Sequence, residues 1–155
     1  MLDLIERLKA EELVISGRLI DASNATLFGH LKSDETLKII YKPTAGERPL
    51  WDFPDGSLAA REMAAYVFSE LFKFYIVPPT VLRDGPYGLG MVQEWITLNE
   101  EIELVNFFST NNPRLRSMAL FDAIVNNTDR KIDILCPSMR DRVMEVNKGE
   151  TSQLD

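Results

Sequence analysis

The chain is 155 residues long, 45% hydrophobic and 26% charged, with a net charge of −7, which suits one globular domain with a core of its own. That acidic balance, with no run of Lys or Arg, leaves no basic face to displace counterions from nucleic-acid phosphates, so nucleic acid is not an expected partner. The single Cys136 excludes an internal disulfide, and with the lone His30 it cannot build a Cys/His zinc cage.

In chain order, Leu4, Ile5, Leu8 and Leu13 stand at near-helical spacing and predict a short amphipathic helix. Acidic residues threaded through this opening set it apart from a signal peptide. No stretch of the chain approaches the roughly 20 apolar residues of a bilayer span. A reduced, cytoplasmic setting is therefore expected. Residues 13–22 (LVISGRLIDA) and 26–32 (TLFGHLK) read as two strands joined by Ser23-Asn24, and 37–41 (LKIIY) as a third strand after the turn Ser33-Asp34-Glu35. Residues 43–55 form a loop with three prolines and Trp51. Ser57 is placed to cap a helix over 58–74, with Met63, Val67, Leu71 and Phe74 as its apolar stripe.

Strands follow at 77–82 and 89–96, around the turn Asp84-Gly85-Pro86. A helix is expected near 99–108. A second is capped by Asn112, has Pro113 at its first position, and runs to Val125. After Asn126-Asn127-Thr128, residues 134–136 and 143–146 read as a hairpin, and residues 150–155 as a disordered tail. Strands, a helix, more strands and then helices make the class α+β.

Several residues suit phosphoryl transfer, which asks for a cation on the nucleotide phosphates, a carboxylate to hold that cation, a loop over the phosphates and an Asp near the nucleophile. Lys42 ends the third strand in KIIYKP, from which an ammonium can reach phosphates, although a strand end is also where solvated lysines usually sit. Glu62, about 100° around its helix from the apolar stripe, can turn to the sheet and pair with Lys42, or sit in solvent. The small turn Ser23-Asn24-Ala25-Thr26 can let backbone N–H groups approach phosphate, as can many hairpins. Asp129 in NNTDRK can orient an attacking hydroxyl, with Arg130 or Lys131 steadying charge. The same run also reads as an Asx-rich helix end capped by Asn127 or Thr128. Gln93, Glu94, Trp95 and Ile96 close the fifth strand, where a kinase hinge would bind adenine; Trp95 serves equally as a core anchor.

Together the runs GRLIDASNATLFG, YKPTAGERPLWDFPDGSLAAREMAAY, VPPTVLRDGPYGLGMVQEWI and LFDAIVNNTDRK resemble a bacterial family with a phosphatidylinositol 3- and 4-kinase-like catalytic domain, more distantly HipA-like. The resemblance implies a single protein-kinase-like domain over residues 1–149. Residues 13–96 would be an antiparallel N-lobe sheet with a helix, and 97–149 an incomplete helical C-lobe. It implies ATP and Mg²⁺ as cofactors, Lys42 as the phosphate lysine, Glu62 as its partner, Gln93 to Ile96 as hinge and Asp129 as the catalytic aspartate. The metal-binding Asp-x-Gly of such domains corresponds to Asn147-Lys148-Gly149, so Asn147 is the expected metal ligand, without a carboxylate's charge. The chain ends where relatives continue into helices that complete the second lobe. Three readings follow: a kinase with a degraded metal site and unassigned acceptor, an inactive pseudokinase that binds nucleotide or protein, or a truncated product with no stable function of its own. Oligomeric state is not specified by any motif.

Overall fold

The structure is a computed structural model that describes residues 2–19, 25–48, 54–96 and 110–128. The helix expected at 99–108, the hairpin at 134–146, the tail, and the candidate residues Ser23, Asn24, Asp129, Arg130, Lys131 and Asn147 lie outside the described residues. The chain divides into two compact units, Met1–Phe68 with Pro78–Trp95 and Ser69–Val77 with Ile96–Asp155.

The first unit holds helix α1 (Leu2–Ala10), strands β1 (Leu13–Arg18), β2 (Leu27–Leu31) and β3 (Asp34–Pro43), most of helix α2 (Leu58–Leu71), and strands β4 (Thr80–Gly85) and β5 (Gly88–Glu94). The fold class is α+β, as expected. The five strands form one antiparallel sheet in the order β1-β2-β3-β5-β4. β3 is central because its apolar run Ile39, Ile40 and Tyr41 is buried on both faces of the pleat. One face packs beneath α1: Leu8 and Leu13 join Leu31, Ile39, Tyr41, Val81 and Val92 in a single core cluster. Arg83 of β4 holds the end of α1 by donating to the carbonyls of Leu8 and Glu11 at 2.9 and 2.7 Å.

Element positions differ from the sequence reading in ways that backbone chemistry explains. β3 begins at Asp34 rather than 37, after a two-residue turn at Lys32-Ser33, because Asp34 already pairs with Leu31. β4 begins at Thr80 rather than 77, since Pro78 and Pro79 have no N–H to give a ladder. The β4–β5 turn sits at Pro86-Tyr87, between the paired Gly85 and Gly88, one step beyond the expected one. Gly90 leaves room for Tyr41: a Cβ there would stand 2.7 Å from the Tyr41 ring. The Tyr41 hydroxyl donates to the Gly88 carbonyl at 2.5 Å and accepts from the Tyr87 N–H at 3.3 Å.

α2 crosses from the first unit into the second. It buries Ala59, Tyr66 and Ser69, spaced for one helical face, whereas Val67 and Leu71 of the expected stripe are exposed. It stops at Leu71, short of Phe74. The Ser69 carbonyl accepts from the N–H groups of Phe74 and Tyr75, and its hydroxyl oxygen accepts from Ile76 and Val77 at 2.8 and 3.2 Å. Lys73 and Tyr75 take left-handed backbone as the chain reverses.

In the second unit, helix α3 (Pro113–Val125) starts as the sequence indicates, with the Asn112 side chain accepting from the Arg114 N–H at 2.9 Å and Pro113 in the first turn. It ends at Asn126 in the left-handed region, and Asn127 donates through its backbone and side chain to Asp122. Met118 and Phe121 are its buried residues, and Phe121 meets Phe74 edge to face at 5.5 Å. Leu120 of the same helix is exposed.

Candidate functional site

Alternation along β3 decides where Lys42 goes. Ile39 and Tyr41 turn into the core under α1, so Ile40 and Lys42 project from the opposite face. There Lys42 lies across from Met91 of β5, which is fully buried. Its ammonium donates to both oxygens of Glu62 on α2, at 2.8 and 2.9 Å. Glu62 is three residues from Ala59 and four from Tyr66, the buried residues of α2, so the helical face that meets the sheet carries it. The two side chains remain 29% and 34% exposed. The pair is thus fixed in geometry yet reachable from solvent, and contributes at most about 1 kcal/mol to stability.

α2 is itself tied to β3. After Pro43 the chain makes a short 3₁₀ turn, Thr44–Gly46, and Glu47 then extends to the start of α2. The Leu58 and Ala59 N–H groups donate to its two carboxylate oxygens at 3.1 and 2.8 Å. Ser57, the expected cap, instead donates its hydroxyl to the Pro54 carbonyl. No capping rule of short spacing finds Glu47, because it acts across 11 and 12 residues of sequence.

The end of β5 lies on the same sheet. Ile40 stands opposite Phe28 on one side and Gln93 on the other. The Gln93 amide donates to the Thr80 hydroxyl at 2.9 Å, which donates to the Pro78 carbonyl at 2.7 Å. The Glu94 N–H goes to the Pro79 carbonyl and the Trp95 N–H to that of Lys38. Burial pushes the Glu94 carboxyl above its ordinary range. The Trp95 ring meets Phe28 edge on at 5.6 Å, and Ile96 belongs to the second unit.

Of the residues singled out in the sequence, Lys42 and Glu62 are brought into contact, Gln93 and Glu94 close β5 of the same sheet, and Trp95 follows directly after that strand. Glu47 was missed. Among the described residues no group of His, Cys, Asp or Glu is arranged to hold a metal ion, and no helix is long and apolar enough to cross a membrane.

No family model matches the chain, and no solved structure matches it. It is similar to Protein Rv2133c of Mycobacterium tuberculosis, with 38% identity over 156 aligned residues that cover 77% of this chain and 56% of that protein. The chain therefore spans little more than half the length of this curated relative, whose name states no activity.

Proposed function

We propose that the chain is an ATP-binding, kinase-like protein related to the phosphatidylinositol 3- and 4-kinase-type phosphotransferases. One observation carries the reading: a lysine on the third strand of an antiparallel sheet is gripped by both carboxylate oxygens of a glutamate on the next long helix. A kinase small lobe uses that pairing to hold an ammonium against the α- and β-phosphates. The residual exposure of both side chains leaves the ammonium within reach of a ligand, as this reading requires.

In this reading Lys42 binds the phosphates and Glu62 orients it. The turn containing Ser23 and Asn24 covers the phosphates. The stretch Gln93, Glu94, Trp95 and Ile96 recognises the base, apart from the Glu94 and Trp95 N–H groups that already serve carbonyls of this unit. Asp129 orients the acceptor hydroxyl, Arg130 and Lys131 steady developing charge, and Asn147 would offer Mg²⁺ a neutral oxygen. The ion's chemistry is to neutralise charge on the phosphates. No lipid acceptor is implied, since substrate choice resides in the site rather than the fold. Asn147 and its neighbour Lys148 favour a second reading, a nucleotide binder without transfer activity, because they place a neutral ligand and a cation where a carboxylate serves best.

Thermal denaturation with millimolar ATP and Mg²⁺ tests the binding step. Saturating nucleotide at a hundredfold over Kd adds about 2.7 kcal/mol of stability, so Tm rises in the native chain and stays unchanged in Lys42→Met. Absence of any rise in the native chain removes both readings. Where Tm rises, labelled ATP separates them: phosphoryl transfer lost in Asp129→Ala marks the enzyme, and no transfer in either protein marks the binder.

A further inference from the structure

We infer that Glu47 is a positioning residue for the Lys42–Glu62 pair, acting through the first turn of α2. Glu62 can grip Lys42 only while α2 keeps its rotation and its height above the sheet. A shift of one residue along a helix turns a side chain by about 100°, which would carry Glu62 off Lys42. Nothing in the pair itself fixes that register. Glu47 does, because its carboxylate takes the Leu58 and Ala59 N–H groups, and these open the helix one turn before Glu62. Glu47 in turn is held to the strand that bears Lys42. Only the turn Thr44–Gly46 lies between Glu47 and Pro43, and the Glu47 N–H closes that turn on the Thr44 carbonyl at 3.1 Å.

The same turn reaches a third element. The Gly46 carbonyl accepts from the Ala25 N–H at 3.1 Å. Gly46 also lies so close to Ala25 that a Cβ there would collide with the alanine methyl. Ala25 leads directly into β2. The stretch 44–47 thus joins the lysine's strand, the glutamate's helix and the entry to β2. A carboxylate at this joint completes both halves of the ion pair without touching either.

The functional meaning of this arrangement rests on the nucleotide reading above, whereas its test does not require nucleotide. An ammonium held by two carboxylate oxygens is shielded from an amine-acylating reagent, so the acylation rate of Lys42 in the full-length chain, read by peptide mass spectrometry, reports the pair directly. Lys9 and Lys32, both more than half exposed, are internal references. In Glu47→Ala the Lys42 rate rises by about fivefold, the factor that losing one ordinary helix cap carries, while the references do not change. Glu47→Gln, which keeps one carbonyl acceptor, gives an intermediate rise and carries the test if the alanine variant does not fold. In a Glu62→Ala background the Glu47 substitution adds nothing further. A Lys42 rate unchanged by either folded Glu47 variant, or a rise of the same size with Glu62 already removed, overturns the inference. Loss of the nucleotide reading alone leaves these rates as stated.

Discussion

Tyr41 and Lys42 are neighbours with opposite surroundings, and the pleat of β3 is the cause. Tyr41 is fully buried, its hydroxyl joined to Gly88 and Tyr87, and its ring stacked on Tyr87 at 6.5 Å. Tyr41→Phe keeps the packing and removes the hydroxyl; a loss of about 1 kcal/mol is expected in urea denaturation. The pH response has two arms of opposite sign. Burial raises the Glu94 carboxyl above 4.5, so the folded state prefers it protonated. Its contribution is therefore most favourable at low pH and declines as pH rises through the folded value. Glu94→Gln removes that decline, and its stability gain over the native chain should grow from pH 4 towards pH 7, as guanidinium unfolding at each pH would reveal. Glu11 runs the other way. The hydrogen bond from Arg7 is the largest cause of its lowered pKa, so its contribution is lost as pH falls below 4.5. A stability gain from Glu94→Gln that does not vary with pH would contradict the burial argument.

At the scale of elements, the sequence pattern located every described strand and α-helix, but not the 3₁₀ turn Thr44–Gly46, and element ends were less legible. Asn112-Pro113 was read correctly because a cap and a proline act within one turn of the helix they start. The start of α2 could not be read that way. Ser57 has the right chemistry at the right place, yet its hydroxyl serves Pro54 while a carboxylate from the preceding turn takes the helix amides. The far end of α2 failed for a related reason: Ser69, a polar residue in the middle of an apolar pattern, is fully buried and gathers the chain behind it. The contrast is measurable. Ser69→Ala leaves two N–H groups without their acceptor and is expected to cost about 1–3 kcal/mol. Ser57→Ala is expected to change stability by less than about 0.5 kcal/mol. Equal effects of the two in urea titrations would mean that the capping assignment is wrong.

For the whole molecule, composition and strand order were enough to specify α+β, but the burial faces depended on which side of the sheet each helix covers. Met63, Val67 and Leu71 looked like the inner face of α2 by hydrophobicity alone. The observed face runs through Ala59, Tyr66 and Ser69 and carries Glu62 with it. The ion pair was legible only as a possibility of order, strand then helix, since no spacing rule connects residues 42 and 62. The most direct measurement is labelling by an ATP analogue whose terminal phosphate carries an acyl group, which transfers to a lysine lying against the phosphates. The expected result is that Lys42 is the dominant acylated residue, that excess ATP suppresses its labelling, and that Glu62→Ala weakens it. Labelling spread evenly over the exposed lysines, or unaffected by ATP, would contradict the account.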